Sequence, residues 1–91
     1  MNKAQLIERL SRQVRLSKSK SEKILNVTLE IIQNSVSNGE DVKLVGFGTF
    51  DRSFRKPRKG RNPKTGIEVP IPATSVPRFR PGKEFKDLVA E

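Results

Sequence analysis

The sequence predicts an α+β fold: a helical base of two N-terminal helices, a three-stranded antiparallel sheet with a long β-ribbon arm, and a short C-terminal helix, assembled as a dimer. Three observations predict it. Apolar residues recur at helical intervals as far as Val36, change to strand-like patterning after Val42, and return to helical spacing after Gly82. Arg52 to Lys64 holds seven basic residues and no acid, in a stretch with no helix signal and no adequate core. Only 33% of the 91 residues are hydrophobic, and there is neither cysteine nor histidine. So short a chain buries too little on its own, and disulfides and the usual zinc ligand sets are excluded, which leaves association as the source of extra burial.

The first helix starts at Asn2-Lys3-Ala4-Gln5, which has the spacing of a capping box. Leu6, Ile7, Leu10 and Val14 make one apolar face, Arg9, Arg12 and Arg15 lie off it, and the helix ends near Val14. Ser17 or Ser19 caps the second helix; Ser19 with Glu22 again has capping-box spacing. Ile24, Leu25, Val27, Leu29, Ile31, Ile32 and Val36 cover more of this helix than the single stripe a surface helix needs, and a second subunit is the natural cover. Asn38-Gly39 stops it, with Gly39 suited to the left-handed conformation past a helix end.

Val42, Leu44, Val45, Phe47, Thr49 and Phe50 read as strand. Gly46 and Gly48 flank Phe47 and mark a bent corner between two strands. Beyond Asp51, the basic run Arg52 to Arg61 pairs with a return limb in which Ile67, Val69, Ile71 and Ala73 alternate with Glu68, Pro70, Pro72 and Thr74, and Asn62 to Gly66 holds the turn. Pro70 and Pro72 share one parity, so both are expected to lose only outward-facing donors. Pro57 lies in the outgoing limb, where it disturbs pairing. About ten residues per limb at roughly 3.3 Å each give a ribbon on the order of 30 Å long, marginal alone and mobile without a partner. Val76 and Phe79 bring the strand back to the body, with Arg78 and Arg80 on the opposite parity. Pro81-Gly82 breaks it, and Lys83 to Glu91 forms a last helix with Phe85, Leu88 and Val89 inward. The whole, 1–91, is one domain: 1–41 helical and dimerising, 42–81 sheet and arm, 82–91 the C-terminal helix.

Nineteen Lys and Arg against ten Asp and Glu give a net charge of +9, and twelve of those cations lie after Asp41 against five acids. A basic half points to a polyanion, nucleic acid first. No stretch is long and apolar enough to span a membrane, and the N-terminus has no apolar signal region. The lack of cysteine fits a reducing compartment. On the arm, Arg52, Arg55, Lys56, Arg58, Lys59, Arg61 and Lys64 can neutralise phosphates, and arginine suits a narrow minor groove. Pro63, at the tip, has two readings. It is a turn residue that sets φ, or it is an apolar wedge that enters between base steps while the cationic limbs hold the groove.

The motifs VGFGTF (Val45–Phe50), GRNPKTG (Gly60–Gly66), IPA (Ile71–Ala73) and FRPGK (Phe79–Lys83), with the MNKAQLI start, resemble the bacterial histone-like HU/IHF family over essentially the whole chain. Minor-groove wedging is the known mechanism of that family itself, so it comes with the resemblance. The resemblance implies an intertwined homodimer whose arms reach around duplex DNA along the minor groove. Pro63 would be the wedge, with Arg55, Arg58, Arg61, Asn62 and Lys64 lining the groove and Arg52 at the arm's start. Gly46 and Gly48 would bring backbone amides near phosphates, and Arg80 and Lys83 would hold flanking backbone. Phe47, Phe50 and Phe79, with Leu29, Ile32, Val36 and Leu44, would form the dimer interface.

It further implies a non-enzymatic architectural protein that binds DNA with little sequence preference, bends and compacts it, and stabilises the nucleoid in bacterial cytoplasm or an organelle. No cofactor, metal or membrane is expected. Neither a His or Cys nucleophile nor a phosphate loop is present. VPIPA and FRPGK also resemble IHF-like chains, which leaves a site-specific DNA-bending subunit, or a heterodimer with a related chain, as an alternative. An RNA-binding protein of ribosomal type is a third, since A-form grooves differ from B-form ones.

Overall fold

A computed structural model of the chain describes residues 1–90 as α1 (Lys3–Val14), α2 (Lys18–Ser37), β1 (Val42–Leu44), β2 (Gly48–Arg55), β3 (Arg58–Arg61), β4 (Glu68–Ile71), β5 (Thr74–Pro81) and α3 (Lys83–Val89). The chain divides into two compact units, Met1–Asn34 and Ser35–Glu91, with the boundary inside α2.

In the first unit, the capping box forms as its spacing predicts. Asn2 Oδ1 accepts from the Gln5 N–H at 2.9 Å, and Gln5 Oε1 accepts from the Asn2 N–H at 2.9 Å. α1 ends without a glycine: Arg15 takes the left-handed conformation at φ 58°, and the Leu16 N–H closes on the Ser11 C=O. Ser17, not Ser19, caps α2, accepting from the Lys20 N–H at 3.1 Å; Ser19 lies inside the helix. Ile7 is the one buried apolar side chain of this unit among the described residues, beside buried Ser11 and Ser21, while Ile24, Val27 and Ile31 stay open along one stripe of α2.

The second unit begins with the last turn of α2. The Gly39 N–H reaches the Val36 C=O and the Glu40 N–H reaches the Ser35 C=O, with Gly39 at φ 86°. This double closure of a helix end needs a residue free to adopt positive φ. β1, β2 and β5 form a three-stranded antiparallel sheet in the order β1-β2-β5, and β3 pairs with β4 as a separate two-stranded ribbon. The corner between β1 and β2 is a turn in which the Phe47 N–H donates to the Leu44 C=O and Gly46 sits at φ 84°, the third position, where a type II turn requires it.

The ribbon is interrupted on both limbs. Lys56 and Pro57 leave the strand on the way out, Pro72 and Ala73 on the way back. Pro70 sits in β4 opposite Lys59 and loses only an outward donor, as its parity predicts. Pro72 shares that parity but lies outside the strand, in the break, where the register sets it opposite Pro57, and neither ring has an N–H.

A cluster of four phenylalanines forms the core here. Phe79 stands 4.7 Å from Phe50 and 5.1 Å from Phe47 between ring centres, and Phe85 stacks on Phe47 at 5.4 Å. Phe85 therefore points inward as expected, but Leu88 is 85% and Val89 70% exposed, a correction to the reading that placed all three inside. In the seven-residue α3, Phe85 is half-buried and the residues after it are exposed.

Candidate nucleic-acid interface

Asp51 on β2 is buried and directly opposite Arg78 on β5. Arg78 grips it with both arms of its guanidinium, Nε to Oδ1 at 2.8 Å and Nη2 to Oδ2 at 3.1 Å. Arg80, two residues along on the same face, adds Nη2 to Oδ2 at 2.6 Å. The Arg78 hydrogen bonds are the main reason the Asp51 carboxyl lies below its ordinary pKa; burial opposes them and Arg80 adds to them. Sequence reasoning left Arg78 without a role, gave Arg80 to the phosphates and passed over Asp51. Asp51 and Arg78 are 27 positions apart in sequence, and they meet only once the β2–β5 register is known. Arg52 is also engaged: Nη1 donates to the Ser37 C=O at 3.2 Å, at the C-terminal end of α2 where a cation complements the helix dipole.

The two glycines assigned to phosphate approach have other neighbours. A Cβ on Gly48 would fall 2.5 Å from Phe79 Cε1 and 2.7 Å from the Arg80 C=O, so this buried glycine is what allows β2 and the Phe79 ring to meet. A Cβ on Gly46 would fall 2.9 Å from Glu84 Oε2, which puts a carboxylate beside that turn. Lys83, at the start of α3, is exposed and in no ion pair among the described residues.

Past Arg52 the picture changes. Arg55, Lys56, Arg58, Lys59, Arg61 and Lys64 are all exposed, and none is in an ion pair among the described residues. Arg58 faces Ile71, Lys59 faces Pro70 and Arg61 faces Glu68 across the ribbon. Six exposed cations, five along the outgoing limb and Lys64 in the turn, form an arrangement able to hold a polyanion.

The tip is closed by Asn62. Its N–H donates to the Ile67 C=O at 2.9 Å, its C=O accepts from the Gly66 N–H at 2.7 Å, and its Oδ1 accepts from the Lys64 N–H at 2.9 Å. Thr65 Oγ1 accepts from the Ile67 N–H at 3.3 Å, and Gly66 takes φ 70°. Asn62 thus fixes the loop from its own side chain and backbone, and Pro63 is left exposed at the turn with a cation on either side, Arg61 and Lys64.

Of the residues assigned to a dimer interface, Val36 is buried within the chain and Ile32 and Phe50 are half-buried. Leu29, Leu44, Phe47 and Phe79 remain open. Phe85 belongs to the same aromatic cluster and was left out of that set. Phe54, two residues outward from Arg52 and 65% exposed, was not singled out at all.

A model of the family described as "Bacterial DNA-binding protein" matches residues 1–90. The DNA-binding protein HU of Staphylococcus aureus (strain COL) is 47% identical over 89 residues, covering 98% of this chain and 99% of that protein. The HU protein of Clostridium pasteurianum is also 47% identical over 89 residues, 98% of each. Among solved structures, an Anabaena HU–DNA cocrystal structure superposes with a TM-score of 0.94 at 44% identity, covering 99% of this chain and 98% of that one. HU from Thermotoga maritima gives 0.71 at 31%, covering 99% and 100%.

Proposed function

The chain belongs to the bacterial DNA-binding protein family, the family of HU, and on that premise we propose that it is a histone-like architectural protein of duplex DNA. It works by binding and bending, not by catalysis. Its free arm cations neutralise phosphates along the minor groove with little regard to sequence, and Pro63 enters between base pairs at the tip. The observation that carries this reading is the contrast along one ribbon. Arg52, Arg78 and Arg80 at its base are held by the protein, and the six cations beyond them have no ion-pair partner among the described residues. Charge left uncompensated on a protruding limb is charge kept for a partner.

The acting unit in this proposal is a homodimer. Among the described residues, Ile7 and Val36 are the only large apolar side chains that are buried, and the open stripe of α2 and the half-open phenylalanine cluster both need cover. The two compact units serve as one DNA-binding domain. No helix among the described residues is long and apolar enough to cross a membrane, and the proposed place of action is the bacterial nucleoid.

The test is end-to-end energy transfer on a short duplex, intact and nicked, titrated with the chain at two salt concentrations. Ends drawn together, with tighter binding to the nicked duplex where deformation costs less, is the expected result. Pro63→Ala should reduce bending more than affinity. Tight binding with unchanged end distance would reduce the protein to a cationic coat and Pro63 to a turn residue.

A further inference from the structure

The ribbon keeps one register from body to tip. Arg55 faces Thr74, and three residues further along each limb Arg58 faces Ile71. Its hydrogen-bonding phase is not kept. At the body end the Gly82 N–H donates to the Phe47 C=O at 2.8 Å, which makes the odd-numbered positions of the outgoing limb the bonded ones. Pro77 and Pro81, which have no N–H, accordingly face the even-numbered Arg52 and Gly48. At the tip it is Asn62 whose N–H reaches Ile67, so the even-numbered positions are bonded, and Pro70 faces odd-numbered Lys59. The phase therefore inverts between Arg55 and Arg58. The residues at the inversion are Lys56 and Pro57 on one limb and Pro72 and Ala73 on the other. Had the body phase continued, Pro57 and Pro72 would be a bonded pair, and neither has a donor.

The inversion decides where side chains point. For L-residues the side-chain direction is tied to the N–H direction, so in a two-stranded ribbon all bonded pairs face one side and all non-bonded pairs the other. In an uninterrupted ladder Arg55 and Arg58, three apart, would face opposite sides. Across the inversion both belong to bonded pairs, Arg55 with Thr74 and Arg58 with Ile71, and both face the same side. We propose that Pro57, set opposite Pro72, is a positioning residue: the proline pair fixes the phase inversion and thereby turns Arg55 and Arg58 to one face of the arm. The functional half of this inference rests on the DNA-binding reading; the structural half does not.

The experiment uses the full chain and the variant P57A/P70A/P72A, which restores every missing amide between Arg55 and the tip. Cross-strand Hα–Hα contacts in NMR mark non-bonded pairs, whose Cα atoms lie closest. The unsubstituted chain should show them at Arg52–Pro77 and again at Lys59–Pro70 and Arg61–Glu68. In the variant the body phase should run on, with the tip-side contact moving to Arg58–Ile71. Affinity for a short duplex is then measured for R55A and R58A in both backgrounds. Each should weaken binding several-fold in the unsubstituted chain. In the variant R58A should lose most of its effect while R55A keeps its own, a readout that mere loosening of the arm would not give. An unchanged contact pattern in the variant would show that the prolines do not set the phase. A changed pattern with an undiminished R58A effect would show that the face does not matter. If neither arginine affects binding in either background, the DNA-binding reading fails, and the NMR result still decides the phase on its own.

Discussion

Replacing Lys59 by glutamine removes an arm cation that faces Pro70 and has no ion-pair partner among the described residues. Replacing Arg78 by glutamine removes a cation of equal charge that is already bonded twice to buried Asp51. If the free limb charges are the ones that displace counterions, the two variants separate. Each neutralised phosphate contributes about −0.9 to the slope of log K against log salt, and a homodimer loses two contacts per substitution, so Lys59→Gln should flatten the slope by about 1.8. Over about a fourfold rise in salt, its affinity loss should then be smaller than that of the unsubstituted protein by about tenfold. Its melting temperature should not move, since an exposed cation without a partner contributes little to the fold. Arg78→Gln should do the reverse, lowering the melting temperature and leaving the slope near the original. The assay is fluorescence anisotropy of a labelled duplex across a salt series, beside thermal denaturation at matched chain concentration. Equal slope changes in the two variants would refute the division of the arginines and lysines into committed and free.

Gly48→Ala should cost about 1–3 kcal/mol in urea denaturation, because the new methyl meets a backbone carbonyl that cannot move aside as well as the Phe79 ring; a neutral result would mean the β2–β5 spacing gives way there. The depressed pKa of Asp51 makes a signed prediction: its contribution is present above the unfolded value of about 3.9 and is lost as pH falls through the lower folded value. Curves of melting temperature against pH for the unsubstituted chain and Asp51→Asn should therefore part above about pH 4 and converge below it, and a constant gap across the range would exclude the ion pairs as the cause. Asn2→Ala removes the acceptor for the Gln5 N–H and should cost about 1 kcal/mol, measured at the same chain concentration.

Local chemistry was readable from the sequence wherever it closes within a few residues. The Asn2–Gln5 cap, the Gly39 stop and the turn at Gly46 each need only their own neighbours, and each formed where the spacing placed it. Ser17 against Ser19 could not be settled by spacing, since both precede a helical run and only the path of the chain chooses. The candidate interface was half legible. The arm's cations are adjacent in sequence and stand free, as a run without acids suggests. The commitments at its base, Arg52 to Ser37 and Arg78 with Arg80 to Asp51, join residues 15 to 29 positions apart and depend on register. Pro57 and Pro72 were each noticed, but their opposition appears only when the two limbs are aligned.

The closed loop at Asn62 bears on when order is acquired. Holding a residue in one conformation costs about 1–2 kcal/mol of entropy, and at the tip much of that cost falls on folding, before any duplex is met. If Pro63 enters the duplex as proposed, it is delivered on a loop already closed by its own hydrogen bonds. A residue inserted between Asn62 and Ile67 would be a small matter for the folded chain, since loop closure grows only slowly with length. For the encounter it would be a large one, because the ring would swing on a longer tether and have to be immobilised at each contact. On the proposed function, length at this tip is therefore constrained by the partner and not by the fold.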